Sequence, residues 1–211
     1  MTSARPRIAI ADTGSGNLRS VEKALARAGA DVVVTADADV VAAADKIVVP
    51  GQGAFGGCIA GLNRDGGALG AAVVQAIRAG KPYLGLCLGL QVLFDGSEED
   101  PTCRGLGILP GTVRRFADRP GLKIPHMGWN ATRRAAGGAS PVLRDITDGT
   151  YFYFVHSYYA VPDRPQDIAL ETEHGVRFCA AVARDNVFAC QFHPEKSQGA
   201  GLALLTAFVA V

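Results

Sequence analysis

Short apolar runs without polar alternation are the feature of this sequence that most restricts its fold. Residues 7–11 (RIAIA), 31–35 (DVVVT), 46–49 (KIVV) and 82–86 (PYLGL) each have the length and composition of a strand. A strand that is apolar at consecutive positions needs cover on both faces, as in a parallel sheet flanked by helices. The runs therefore favour a doubly wound α/β arrangement.

Helical segments fall between these runs. Residues 18–28 predict a helix that is capped by Asn17 and stopped by Gly29, and residues 69–79 predict a second helix. The second half of the chain is richer in Tyr, Phe and turn residues, and residues 151–160 and 187–192 read as longer, partly antiparallel strands. A last helix is predicted over residues 199–210.

The chain length fits one compact unit. With 211 residues, 48% of them hydrophobic, the sequence can bury one substantial core. We therefore predict a single α/β domain over residues 1–211, with a mostly parallel, partly mixed sheet flanked by helices and a nucleophile elbow at a strand-to-helix turn.

Charge and cysteine usage exclude several classes of function. The formal net charge is +1 and no basic run stands out, so nucleic acid and membrane surfaces are poor partners. The N-terminal residues form no apolar signal segment, and we expect a cytoplasmic protein. The five cysteines include no C-x-x-C pair, so neither a disulfide framework nor a metal site is expected.

One cysteine stands in a special local pattern. Gly85-Leu86-Cys87-Leu88-Gly89 follows an apolar strand and opens another apolar segment, which is the spacing of a nucleophile elbow. Glycines two residues before and after the nucleophile let strand and helix approach closely. The helix N-terminus favours a thiolate, the form of cysteine that attacks carbonyl carbon. On its own, the pattern fits an inert buried cysteine about equally well.

A base and an acid follow a later strand. His193-Pro194-Glu195 comes directly after residues 187–192, so its side chains can reach the same sheet edge as Cys87. Thiolate chemistry needs an imidazole to move a proton and a carboxylate to hold the imidazole in one tautomer. Combined with the elbow, the order of nucleophile and base favours catalysis over a structural histidine.

A glycine-rich loop completes the set. Pro50-Gly51-Gln52-Gly53 ends the strand at residues 46–49. Acyl transfer passes through an oxyanion that needs backbone N–H donors, and glycine lets a loop turn its amides inward. We expect one donor from the amide of Leu88 and a second from Gly53. No Gly-Lys-Ser/Thr follows, which disfavours a nucleotide-binding loop.

These three pieces, in this order, resemble the class I (triad-type) glutamine amidotransferase family. Within it, further segments resemble the glutaminase subunits of imidazole glycerol phosphate synthase, and the likeness covers nearly the whole chain. The segments are GSGNLRS at 14–20, PGQGAFG at 50–56, LGLCLGLQVLF at 84–94, GSEE at 96–99, PHMGWN at 125–130, YFVHSYY at 153–159 and QFHPEKS at 191–197.

The resemblance implies a reaction and a partner. Cys87 would form a γ-glutamyl thioester, with His193 and Glu195 completing a catalytic triad that hydrolyses glutamine to glutamate and ammonia. The ammonia would pass to a (β/α)8 cyclase subunit, bound as a heterodimer, that makes imidazole glycerol phosphate and an aminoimidazole carboxamide ribonucleotide in histidine biosynthesis. No cofactor is implied.

The same resemblance implies roles for further residues. Those that would bind the glutamine are Gly51, Gln52, Gln91, Glu99, Ser157 and Tyr158. Those that would face or gate the partner are Asn17, His126, Trp129, Tyr153 and Lys196. His156 and His174 are taken as structural. Thr13 departs from the aromatic residue usual in the family, so the first loop's contact with a partner does not carry over.

Three other readings stay open at this point. The chain could serve a different synthase, such as those for pyridoxal phosphate or aminobenzoate, although GSGNLRS and PHMGWN argue against this. It could act alone as a cysteine hydrolase on γ-glutamyl compounds. It could also be a non-catalytic scaffold subunit, which the intact set of Cys87, His193 and Glu195 disfavours.

Overall fold

Strands and helices alternate in the first half of the chain, and strands dominate the second half. A computed structural model describes residues 5–211. Its strands are β1 (Arg7–Ala11), β2 (Asp31–Thr35), β3 (Lys46–Gly51), β4 (Tyr83–Cys87), β5 (Gly96–Ser97), β6 (Asp100–Arg104), β7 (Gly111–Arg115), β8 (His126–Ala131), β9 (Arg133–Arg134), β10 (Tyr151–His156), β11 (Tyr158–Pro162), β12 (Ile168–Glu173), β13 (Arg177–Arg184) and β14 (Val187–Cys190). Its α-helices are α1 (Leu18–Arg27), α2 (Ala38–Ala43), α3 (Phe55–Leu62), α4 (Arg64–Arg78), α5 (Leu88–Gln91) and α6 (Gln198–Ala210).

The central sheet has eight strands in the order β2-β1-β3-β4-β14-β13-β12-β9. The first five are parallel neighbours, and the last three join antiparallel. The mostly parallel, partly mixed α/β sheet predicted from the sequence is confirmed. Two smaller sheets, β10-β8 and β11-β7-β5-β6, lie beside it.

Apolar residues cover both faces of the parallel strands. In β3, Ile47 and Val49 belong to one buried cluster and Val48 to another, and all three are fully buried. Consecutive apolar residues therefore serve two cores at once, which is the reason these strands lack polar alternation.

Two predicted elements differ from their form in the structure. Residues 151–160 are not one strand: the chain leaves β10 at Ser157, whose carbonyl accepts a hydrogen bond from Phe116 N at 3.1 Å, and enters a different sheet as β11. Helix α4 has an extra first turn before residue 69, where Asp65, Gly66 and Gly67 have positive φ.

No helix within residues 5–211 has the length and apolar character needed to cross a membrane.

The carboxyl ends of three neighbouring strands meet at one edge of the central sheet. Gly51 of β3 pairs with Cys87 of β4, and Cys190 of β14 pairs with Leu86. This register brings the glycine loop, the cysteine turn and the residues after β14 to one place. Ligands of open α/β sheets bind at such edges.

Candidate active site

Cys87 stands at a bent junction between β4 and α5. Its φ is 54° and its ψ is −102°, a backbone conformation that is costly for a residue with a Cβ. A Cβ on Gly85 would lie 2.3 Å from the carbonyl oxygen of Gly89, and a Cβ on Gly89 would lie 1.8 Å from that of Val49. Both glycines are therefore required for the junction. The strand-to-helix elbow predicted from the sequence is present.

His193 and Glu195 form a buried pair. The Nδ1 of His193 lies 2.8 Å from Oε1 of Glu195, and both side chains are almost wholly buried. Because an ionised carboxylate only accepts hydrogen bonds, Nδ1 carries a proton. The other ring nitrogen, Nε2, is buried and makes no hydrogen bond of regular geometry within residues 5–211. Its ring lines the same cavity as Cys87.

The surroundings of His193 favour its charged form. Burial lowers its pKa, but attraction to Cys87 and Glu195 and the hydrogen bond to Glu195 raise it more, and the resulting pKa is about 9. At neutral pH the ring is therefore an imidazolium with a proton on each nitrogen. A charged imidazole beside a cysteine stabilises the thiolate and holds a proton ready for a leaving group.

A cavity of about 410 Å³ opens in front of the cysteine. This volume lies within the usual range of small-molecule sites. Its walls are formed by Gln52, Gly53, Cys87, Leu88, Gln91, Glu99, Pro125, Val155, His156, Ser157, Tyr158, His193 and Lys196. The structure thus brings together most of the residues that the sequence predicted for catalysis and substrate binding. Gly51 lies just behind the wall, where a Cβ would meet Leu88 Cβ at 2.5 Å.

Two backbone segments could supply oxyanion donors. Leu88 is the first residue of α5, and the first amides of a helix have no intrahelical partner. Gly53 is exposed at the cavity wall with φ of 102°, a conformation that favours glycine. Both residues line the same cavity as Cys87.

Gln91 and Glu99 are held in place by hydrogen bonds to backbone groups of neighbouring segments. Gln91 is 2% exposed, and its Nε2 donates to the carbonyl oxygen of Tyr158 at 3.1 Å. Oε2 of Glu99 accepts a hydrogen bond from the amide of Phe55, the first residue of α3, at 2.7 Å. These contacts fix polar groups on two walls of the cavity before any ligand enters.

The profile of the family described as Glutamine amidotransferase class-I matches residues 9–210. The chain belongs to this family. It is therefore a glutamine amidotransferase, an enzyme that takes nitrogen from glutamine.

The similarity of this amidotransferase to known proteins covers nearly its whole length. It is 51% identical to "Imidazole glycerol phosphate synthase subunit HisH" of Gloeobacter violaceus, over 97% of this chain and 89% of the relative. It is 50% identical to the protein of the same name in Nitrosomonas europaea, over 96% of this chain and 97% of the relative. A solved structure, PurLQS from Thermotoga maritima, shares the fold with a TM-score of 0.73 at 20% identity, over 98% of each chain.

A residue in contact with Cys87 was missed by the sequence reasoning. Gln191 is fully buried, and its Nε2 lies 3.4 Å from Sγ of Cys87. The available signal was a single amide in the otherwise apolar run VFACQF, directly before Phe192 and His193. A buried polar side chain needs a partner, and the register of β14 against β4 supplies it.

The predicted partner-facing residues of the amidotransferase differ in how exposed they are. Trp129 is 46% exposed and packs edge-on against Tyr153, and Lys196 Nζ lies 6.0 Å from the Tyr153 ring centre. Asn17 is exposed and caps α1. His126, in contrast, is only 5% exposed and is hydrogen-bonded to His156 at 3.0 Å, so its ring offers no surface for contact.

Thr13 is also buried in the amidotransferase. It is 3% exposed, and its backbone packs so closely on α3 that a Cβ on Gly61 would lie 2.0 Å from the Thr13 carbonyl oxygen. The small side chain at this position is consistent with that close packing. Within residues 5–211, no group of His, Cys, Asp and Glu side chains is arranged to hold a metal ion.

Proposed function

We propose that this amidotransferase hydrolyses L-glutamine to glutamate and ammonia with Cys87 as nucleophile, His193 as acid and base, and Glu195 as the group that orients His193. The observation that carries the proposal is a buried cysteine at a strained turn, in a cavity shared with an imidazole whose Nδ1 is bound to a carboxylate. A cysteine and a carboxylate-bound imidazole in one cavity are the groups that nucleophilic acyl transfer needs, and they support the proposal.

The reaction then has two halves. Sγ of Cys87 attacks the carboxamide carbon of glutamine, and the amides of Leu88 and Gly53 donate to the oxyanion. His193 gives its Nε2 proton to the departing ammonia, which leaves a γ-glutamyl thioester. Water attacks the thioester while His193 accepts a proton, and glutamate is released with the cysteine restored.

The glutamine is held by the cavity walls. We assign its recognition to Gly51, Gln52, Gln91, Glu99, Ser157 and Tyr158, which lie in or directly behind those walls. Fixed polar groups of this kind bind an amino acid without a large cost of ordering. The proposal involves no metal and no cofactor.

We further propose that the ammonia passes to a (β/α)8 cyclase subunit, bound as a heterodimer in the cytoplasm, for histidine biosynthesis. Support comes from relatives at 51% and 50% identity that carry the name of the HisH subunit of imidazole glycerol phosphate synthase. The products of the joined reaction would be imidazole glycerol phosphate and an aminoimidazole carboxamide ribonucleotide.

An exposed apolar face is available for that partner. In the β8-β10 pair, residues on one face point outward, and among them Met127 is 63% exposed, Trp129 46% and Tyr151 59%. Aromatic side chains and methionine are enriched in protein interfaces. We assign this face, with Tyr153, Lys196 and Asn17, to contact with the cyclase.

The test is reconstitution with a cyclase subunit. Cys87→Ala should abolish synthesis from glutamine and preserve synthesis from added ammonia, because the ammonia-consuming site belongs to the other chain. Loss of both activities in a well-folded complex would contradict the proposal. Stimulation of glutamine hydrolysis by a pyridoxal phosphate or aminobenzoate synthase, and not by the cyclase, would overturn the pathway assignment.

A further inference from the structure

Gln191 contacts the sulfur on which the chemistry depends. It follows β14 directly, is fully buried, and places Nε2 at 3.4 Å from Sγ of Cys87. Its Oε1 lies 2.9 Å from Nε2 of Gln91. The side chain therefore lies between the nucleophile and a residue of the cavity wall.

The hydrogen-bond network fixes which end of the Gln191 amide faces the sulfur. The carbonyl oxygen of Tyr158 only accepts hydrogen bonds, and it already accepts one from Nδ1 of His156 at 2.8 Å. The Gln91 atom that faces this oxygen must therefore be the donor Nε2. The same Nε2 faces Gln191, so the opposing Gln191 atom is the acceptor Oε1, and its NH₂ group faces Cys87.

We propose that Gln191 is a catalytic residue whose side-chain N–H donates a hydrogen bond to the Cys87 thiolate and stabilises the negative charge on sulfur before attack and during its expulsion from the thioester. The proposal rests on the proposed role of Cys87 as nucleophile. It adds a neutral donor to the triad.

A neutral donor has a function that His193 does not cover. His193 gives its proton to ammonia and takes another from water in each cycle, so its charge varies. The amide proton of Gln191 stays in place, and a hydrogen bond to an ionised group is about twice as strong as one between neutral groups. Gln191 therefore stabilises the sulfur charge at every stage in which it appears.

The other ionisable groups near Cys87 should not obscure the effect of replacing Gln191. Burial raises the pKa of the Cys58 thiol to about 12 and that of the Cys190 thiol well above its usual range, so both stay neutral. His156 at the cavity wall also stays neutral at neutral pH, because burial lowers its pKa to about 3. The charged groups at the site are His193 and Glu195, with Glu99 and Lys196 at the cavity wall. None of these four groups changes when Gln191 is replaced.

The test compares Gln191→Leu and Gln191→Glu with the wild type by alkylation of Cys87 across pH, read by peptide mass spectrometry. For Gln191→Leu we expect the pH profile of alkylation to move about one unit upward, so that alkylation on the rising part of the profile is about tenfold slower, as follows from losing one hydrogen bond to a charged group. Gln191→Glu should move the profile further, because it adds a negative charge beside the thiolate. The kcat for glutamine should fall about tenfold or more, with KM changed less than threefold.

Two controls separate this effect from general damage. Cys190→Ala alters a buried neighbour in the apolar cluster on the other side of the sheet and should leave the profile unchanged. Alkylation of the partly exposed Cys103 in the same samples should be equal in all variants. If Gln191→Leu fails to fold, Gln191→Asn keeps a buried amide that is one methylene too short to reach the sulfur, and the same shift is expected.

An unchanged Cys87 profile and an unchanged kcat in a folded Gln191 variant would overturn the proposal. A slowing shared equally by Cys103 would do the same, because it reports loosening of the whole chain. Failure of the proposed function looks different: the Cys87→Ala variant would then still hydrolyse glutamine.

Discussion

His193 keeps its proton at a pH where a free imidazole would have lost it. Its pKa is raised from 6.5 to about 9, because attraction to Cys87 and Glu195 outweighs burial. The unfolded chain binds this proton less tightly, so protonation of His193 stabilises the folded state. That stabilisation is complete below pH 6.5 and is lost as the pH rises through about 9.

The same shift predicts the alkaline limit of the reaction. Glutamine hydrolysis should decline above about pH 9, because a neutral His193 has no Nε2 proton for the departing ammonia. Glu195→Gln keeps a hydrogen-bond acceptor and removes the charge, so we expect a decline that begins at lower pH and a rate reduced about a hundredfold. A pH–rate profile measures both effects. Glu22→Gln on α1 is the control. An alkaline decline that begins at the same pH in Glu195→Gln as in the wild type would contradict the role given to Glu195.

The junction between β4 and α5 depends on two glycines more than on any side chain. Gly89 leaves no room for a Cβ beside the carbonyl of Val49, and Gly85 leaves none beside Gly89. Strand and helix can then approach closely enough to place the buried Cys87 at the cavity wall on the sheet edge. The strain at Cys87 is held by this packing.

Gly89→Ala should therefore destabilise the protein by about 3 kcal/mol, because the added methyl meets rigid backbone. Gly199→Ala on α6 is the matched control: a Cβ there meets nothing within 4 Å, and its effect should stay within about 0.5 kcal/mol. Urea unfolding measures both. A Gly89→Ala variant as stable as the wild type would show that the junction is not held in this way.

Local sequence patterns were enough to predict the elements that carry the site. Contacts between residues far apart in the sequence could not be predicted. The elbow at Cys87 and the acid beside His193 are each defined by five consecutive residues or fewer, so the spacing in the sequence was enough to predict them. The contact of Gln191 with Cys87 joins residues 104 positions apart and depends on strand register. The break between β10 and β11 also escaped, because nothing in YFVHSYYA marks a change of sheet at Ser157.

A chain of hydrogen bonds joins β8, β10 and β11. Asn130 Nδ2 lies 3.1 Å from His126 Nε2, His126 Nδ1 lies 3.0 Å from His156 Nε2, and His156 Nδ1 lies 2.8 Å from the Tyr158 carbonyl. Because that carbonyl only accepts, Nδ1 of His156 donates to it. In the neutral rings, Nε2 of His156 then accepts from Nδ1 of His126, and Nε2 of His126 accepts from Asn130. Burial is the main cause that lowers the pKa of His126 to about 4 and that of His156 to about 3.

These neutral histidines predict instability in acid. The unfolded chain takes up protons below pH 6.5 while the buried rings stay neutral, so the free energy of unfolding falls as the pH drops. His156 alone should account for roughly 2 kcal/mol between pH 7 and 5. His156→Gln should flatten this dependence, measured by urea unfolding at each pH. An equally steep fall in the variant would contradict the account.

At the scale of the whole molecule, the cavity and the exposed apolar face share strand β10. His156 ends this strand at the cavity wall, and Tyr151 begins it on the outward face beside the exposed Trp129. A partner docked on this face would therefore lie close to the residues that line the cavity. Ammonia released at Cys87 would have a short route to a second subunit.

Trp129→Ala should weaken binding of the cyclase subunit roughly 10- to 100-fold, since buried tryptophans are frequent hot spots of interfaces. Val211→Ala, which truncates a 42% exposed apolar residue bound through its carbonyl to Lys46 at the end of β3 opposite the cavity, is the control and should leave binding unchanged. Isothermal titration calorimetry gives both affinities. Equal affinity of Trp129→Ala and wild type would remove this face from the interface.

The most direct test of the account is to capture the acyl-enzyme. The protein is mixed with glutamine in the presence of the proposed cyclase partner, quenched in acid within the first turnovers, digested and analysed by mass spectrometry. We expect one added γ-glutamyl group on the peptide that contains Cys87, absent from Cys87→Ala. Steady release of glutamate with no adduct on Cys87, or with the adduct on another residue, would contradict it.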